Sequence, residues 1–278
     1  MKFTILVTMI VVSAGVPAGL SAQTPSGAPP PSFGTEYTAG TPLQDFEMRR
    51  YRDWQLTVNV TVPTSELQAV LPVGYQVLNP AAASSNVSIA LVFQERAEIL
   101  AVDGVAPGSY GPVDVVLVVA AARSPMGIVE SLLLDNLRST QAAVNLTNTI
   151  FGPGSARLPD LLRVKLTAEP GGETMRFSAR AVSGRLHIAA AAVFSPTGMT
   201  SSRNRPSPAP FRYVDSSINP AIANRSLRAG TSVDQVTVPA ADITFTQDRI
   251  RLPHGELTVL TVVSGRIDRW QEFVQKLQ

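Results

Sequence analysis

Trp54-Gln55-Leu56-Thr57-Val58-Asn59-Val60-Thr61-Val62 alternates apolar and polar residues at every step, which predicts a strand with one apolar face. Pro63-Thr64 ends it, and Thr64 is placed to N-cap a short helix over 65–70. Leu71-Pro72-Val73-Gly74-Tyr75 then turns the chain. Strands follow over 86–94, 97–102, 113–121 and 128–134, several of them continuously apolar, the pattern of strands covered on both faces. Ala142, Val144, Leu146 and Ile150 fall partly at helical spacing and predict a helix over 140–150. Further strands are predicted over 161–168, 174–182, 185–194, 232–238, 243–251 and 256–263, with Gly171-Gly172 and Gly184 marking hairpin turns. Ile267, Trp270, Phe273, Val274 and Leu277 share one helical face, so a closing amphipathic helix is expected over 267–277.

The N-terminus reads differently. Met1-Lys2, the apolar run Phe3 to Val16, Pro17, and Leu20-Ser21-Ala22 before Gln23 form the sequence of a cleaved signal peptide over 1–22. That predicts a secreted or periplasmic protein; an uncleaved membrane anchor is the competing reading. Residues 23–44 are rich in Pro, Ser and Gly and read as a linker, leaving one folded domain over 45–278. The chain has no cysteine, so it has no disulfide framework, no thiolate nucleophile and no cysteine metal ligand. No later run is long enough to cross a membrane, so no membrane partner is expected once the signal is removed. The net charge is +2 and the charges are scattered; without a basic stripe interleaved with aromatics, nucleic acid is not an expected partner. His187 and His254 lack ligand spacing, so no metal is expected, and no glycine-rich phosphate loop predicts a cofactor. A homo-oligomer is left open.

Four groups of residues carry candidate chemistry. Glu95-Arg96-Ala97-Glu98 sets two carboxylates and an arginine at a predicted strand junction: an acid/base pair at a cavity mouth, or a solvated turn. Arg123 and Glu130 flank Ser124-Pro125-Met126-Gly127 beside very apolar strands, and charges there are paired or line a cavity. A cross-strand Arg123–Glu130 pair is the structural reading and a ligand-anchoring Arg123 the functional one. His187 lies among small side chains in Leu186 to Phe194, as a rim residue or a catalytic one. The segment 195–220 has no periodicity and contains Arg203, Arg205, Phe211, Arg212 and Tyr213, the composition of a lid over an anionic ligand or of a surface insertion.

Between these groups, Leu134-Asp135-Asn136 is followed by Pro153-Gly154-Ser155-Ala156-Arg157-Leu158-Pro159-Asp160-Leu161. This centre resembles that of the acetoacetate decarboxylase family. The likeness extends to the strand–helix unit from Trp54 to Tyr75, to Tyr110, to Arg205-Pro206, and to the closing strands around Pro253. It implies a mainly β (α+β) fold, an antiparallel β barrel or cone with a few short helices, enclosing an apolar cavity. In the family two adjacent lysines follow the first proline, and one forms a Schiff base. Here Gly154 and Ser155 stand in their place, so acetoacetate decarboxylation is not expected. A Schiff-base lysine reacts only when unprotonated, and in that family desolvation or a neighbouring cation depresses its pKa. Gly154 and Ser155 supply neither the amine nor the charge. The family's glutamate after the tyrosine is Pro112 here, with Asp114 nearby. Past the signal, only Lys165 and Lys276 remain, and Lys165 falls opposite the apolar positions of its strand. The expected function is binding of a small apolar or carboxylate-bearing molecule in an internal cavity. The alternative is a lyase or hydrolase using Glu95, Glu98, Asp114 or His187 with Arg123.

Overall fold

The computed structural model describes residues 49–78, 85–102, 107–110, 112–171, 173–183, 186–201, 209–215 and 221–276. The expected signal peptide and linker lie outside them. In chain order the elements are β1 (Arg49–Pro63), α1 (Thr64–Val70), β2 (Gln76–Val77), β3 (Asn86–Val102), β4 (Pro107–Tyr110), β5 (Val113–Arg123), β6 (Val129–Arg138) and α2 (Gln141–Phe151). They continue with β7 (Leu161–Ala168), β8 (Met175–Ser183), β9 (Leu186–Phe194), β10 (Thr200–Ser201), β11 (Ala209–Asp215) and β12 (Ala221–Pro239). The last are β13 (Ile243–Phe245), β14 (Arg249–Leu252), β15 (Gly255–Thr258) and β16 (Thr261–Lys276).

Pairing is almost wholly antiparallel. β1 pairs with β3, β3 with β5, β5 with β6, and on the other side β1 pairs with β16, β16 with β12 and β12 with β11. A short parallel joint, Phe211↔Ser131 to Tyr213↔Leu133, links β11 to β6 and completes the circuit. The order β13-β9-β8-β7 forms a separate open sheet, and β14-β15 a hairpin. The body is therefore a circuit of strands with a second sheet against it, rather than one barrel.

Burial follows the alternation of β1. Leu56, Val58, Val60 and Val62 are fully buried and join one core with Ile89, Leu91, Phe93, Val116 and Val118. The same core takes Leu162, Val164, Phe177, Ile188 and Phe194 from the open sheet, Leu67 and Val70 from α1, and Ile250 and Leu257 from the hairpin. A separate sheet can pack only on the outside of a strand circuit. The alternate positions, Gln55, Thr57 and Asn59, therefore face its interior. Gly265 shows how close this packing is: a Cβ there would lie 2.5 Å from Cδ1 of Ile243.

Several expectations are corrected. The segment 267–277 is not a helix; it belongs to strand β16, hydrogen-bonded to both β1 and β12. Its apolar spacing fits a helical stripe, but pairing on two sides outweighs that local pattern. Residues 95–98 are not a turn: β3 runs through them, and the irregularity is a bulge, with Arg52 opposite Glu98 and Asp53 opposite Arg96. The long segment 195–220 is not one aperiodic loop, since it contributes β10 and β11. The expected strand over 243–251 is two, β13 and β14, in different sheets. Thr64 is the first residue of α1, with Pro63 at the cap and no side-chain cap bond; its N–H goes instead to Ser85 O. The helix over 140–150 is present as α2, and there Thr140 caps through Oγ1, accepting from the Ala143 N–H.

Candidate functional site

The interior of the circuit can be followed by register. Gln235, Asp268, Gln55, Gln94, Val115 and Arg138 are successive partners across β12, β16, β1, β3, β5 and β6. The next level is Thr237, Arg266, Thr57, Val92, Leu117 and Asn136. The interior is thus polar along much of its wall, which corrects the expected apolar cavity. At the first level Asp268 and Gln94 are fully buried, Arg138 is 2 % exposed and Gln55 6 %. Gln94 Nε2 donates to Gln55 Oε1 at 2.8 Å, and Gln55 Nε2 to Thr57 Oγ1 at 3.1 Å.

Arg266 is the open charge of this wall. Its Nε donates to Asp268 Oδ2 at 2.8 Å, and its side chain remains 39 % exposed. No other bond to a described residue engages the guanidinium, so its terminal nitrogens keep their donors. Beside it lies an open groove of about 390 Å³ lined by Gly198, Thr200, Gln235, Val236, Thr237 and Arg266. Sequence reasoning missed this site because the helix expected there separates Arg266 from Asp268. Read as a strand, Arg266-Ile267-Asp268 puts the two charges on one face.

The Leu-Asp-Asn motif lies on β6, joined to β12 through β11. The backbone after α2 pairs with β6: Arg157 N–H donates to Asn136 O at 3.0 Å, and Arg138 N–H to Arg157 O at 3.1 Å. Asn136 Nδ2 holds Ser155 O at 3.0 Å, while Asn148 clasps Ala156 through both N–H and C=O. Arg157 grips Asp135 with two bonds, of 2.9 and 2.5 Å, and reaches Ser183 Oγ at 2.7 Å. Burial works against the Arg157 charge, but Asp135 outweighs it and raises the pKa. Gly154 has φ of 75°, a backbone region that excludes a lysine without strain. Ser155 is 3 % exposed. Gly154 and Ser155 are therefore both built into the loop.

The other sequence candidates are dispersed. Glu95 and Asp114 are register partners on β3 and β5, on the outer face beside β7. Glu95 Oε2 accepts the Leu166 N–H at 2.9 Å, and the Val164 backbone favours the charged form of Asp114. Burial raises both pKa values, and for Glu95 the Asp114 charge adds to the rise. Arg123 is exposed and donates to Gly127 O at 2.9 Å within its own hairpin. It does not pair with Glu130, whose buried Oε2 accepts from Tyr75 Oη at 2.7 Å. Arg123 is displaced because Ala122, not Arg123, is the register partner of Glu130. His187 is exposed on β9 opposite Val182, and Lys165 is exposed on β7 as expected. For Glu98, Tyr110, Phe211, Arg212 and Tyr213 only the backbone is described, within β3, β4 and β11. Arg203 and Arg205 lie outside the described residues. No group of three or more metal-ligating residues occurs among the described residues.

Comparison with protein-family models and with curated proteins finds no match. Solved structures do match. The enduracididine biosynthesis enzyme MppR complexed with pyruvate aligns with TM-score 0.55 and 15% identity, over 86% of this chain and 91% of that one. The same enzyme with the condensation product of pyruvate and imidazole 4-carboxaldehyde gives TM-score 0.56 at 15% identity, over 84% and 88%. An acetoacetate decarboxylase aligns with TM-score 0.50 and 12% identity, over 83% and 87%. At these identities the likeness concerns architecture, and it agrees with the mainly antiparallel pairing and the two helices: the chain has an acetoacetate-decarboxylase-like fold.

Proposed function

We propose that this protein is exported and binds a small carboxylate-bearing molecule at the Arg266 wall of the strand circuit, without Schiff-base chemistry. One observation carries the reading. Arg266 is held through Nε by the buried Asp268 and keeps its terminal donors beside an open groove. A guanidinium fork fixed at one end matches the two oxygens of a carboxylate. The pyruvate named with MppR is itself a carboxylate, which supports the choice of ligand class. The absence of Schiff-base chemistry rests on Gly154, Ser155 and the exposed Lys165 on the outer sheet. Export rests on the signal-like 1–22 segment.

Ligand-observed NMR with pyruvate and propionate tests the binding. Both should bind, and Arg266→Met should abolish the signal; equal binding to the variant would refute the site. Borohydride treatment in the presence of pyruvate should leave the protein mass unchanged. N-terminal sequencing of the recovered protein should begin near Gln23, and an intact Met1 would refute cleavage.

A further inference from the structure

Ligand pockets are usually lined by apolar side chains with a few polar groups among them. The Arg266 groove reverses this. Of its lining residues only Val236 is apolar, and the rest are Gly198, Thr200, Gln235, Thr237 and Arg266. Thr200 and Thr237 are exposed, and Gln235 is half-buried. Backbone groups add to the polar surface. β10 pairs with β12 only at Thr200↔Gln235 and Ser201↔Asp234. Beyond Gln235 no described strand pairs with that edge of β12, whose opposite edge is taken by β16. A Cβ on Gly198 would meet nothing within 4 Å, so this side of the groove is open space.

We infer that the groove selects a polyhydroxylated carboxylate of the sugar-acid class rather than an alkyl acid. The inference rests on the carboxylate reading of Arg266 and extends it to the rest of the ligand. The carboxylate meets the terminal nitrogens of Arg266. The hydroxyls of the ligand meet Thr200 and Thr237, the Gln235 amide and the open edge of β12. Thr237 and the Gln235 amide both donate and accept, as a hydroxyl requires, while Thr200 Oγ1, which donates to Gln235 O at 3.4 Å, offers an acceptor. An alkyl chain in the same place would cover polar groups without replacing their hydrogen bonds to water, which opposes binding. The groove volume of about 390 Å³ falls within the range of small-molecule sites, roughly 300–1,000 Å³.

Isothermal titration calorimetry of the full chain with gluconate, glucuronate, hexanoate and glucose tests this. Gluconate or glucuronate should bind at least about tenfold more tightly than hexanoate or glucose, a gap equal to one or two hydrogen bonds. Thr237→Val should weaken the sugar acid and leave hexanoate unchanged. If hexanoate binds as tightly as the sugar acids, the selectivity is overturned while the carboxylate reading stands. Glucose binding as tightly as gluconate, or sugar-acid binding that survives Arg266→Met, overturns both. The comparison among ligands on the unmodified protein decides the matter even if a variant fails to fold.

Discussion

Glu95 and Asp114 stand directly opposite each other on β3 and β5, and both face the neighbouring strand β7: Glu95 accepts the Leu166 N–H at 2.9 Å, and the Val164 backbone favours the charged form of Asp114. β7 is the last strand of the open sheet. Its N–H groups on that side have no described strand to pair with, and Glu95 supplies an acceptor to Leu166. Two like charges in register repel, yet each also gains from nearby cations, Lys165 for Glu95 and Arg163 for Asp114. A pair that could serve acid/base chemistry is thus engaged in joining two sheets.

This arrangement has a pH signature. Burial raises both pKa values in the folded state, so folding takes up protons at these groups. Their contribution to stability is greatest below the unfolded carboxylate pKa and declines as pH rises through the raised values. Glu95→Gln keeps an acceptor for Leu166 and removes the charge. Urea midpoints of this variant should fall less than those of the parent between about pH 4 and 7. A steeper fall would contradict the assignment.

The Arg157–Asp135 pair anchors the loop that carries Gly154 and Ser155. Asp135 is 3% exposed and the Arg157 side chain 29%. Arg157→Met strands a buried carboxylate and should cost about 3 kcal/mol, read by chemical denaturation. A loss within experimental error would show that the loop is held by Asn136 and Asn148 alone.

Gln94 is fully buried and donates to Gln55 at 2.8 Å. Gln94→Leu leaves that acceptor short of a donor and should destabilise the protein by about 1–3 kcal/mol. Unchanged stability would place the amide pair outside the packed interior.

Gly154 adopts a positive φ of 75°. Gly154→Ala should lower stability by about 1 kcal/mol through backbone strain alone. A stabilised variant would mean that the loop relaxes to negative φ, reopening the position to a lysine.

Much of the outer core was legible from alternation: Leu56, Val58, Val60 and Val62 all fall where period two puts them. Gln55, Thr57 and Asn59 were the harder half. Period two says which residues share a face, not whether water or protein covers it, and the covering strands come from distant parts of the chain. β16 shows the limit plainly. Ile267 and Asp268 are neighbours and both fully buried, on opposite faces of a strand that β1 and β12 enclose. No local pattern announces that enclosure, so the segment reads as a helix and Arg266 loses its partner. The Leu-Asp-Asn centre was legible because its contacts are close in sequence, from Asp135 to Arg157.

The pairing of β1 with β16 joins the start of the described fold to its end, with Thr61 opposite Thr261. Such a contact can form only after β16 has been synthesised and has left the ribosome, and closing so long a loop is slow. Until then the edges of β1 and β12 that β16 covers present unpaired N–H and C=O groups, the kind of surface that recruits other chains. A chaperone that holds the nascent polypeptide would meet its main demand here, and truncation before Thr261 should yield insoluble protein rather than a smaller folded one.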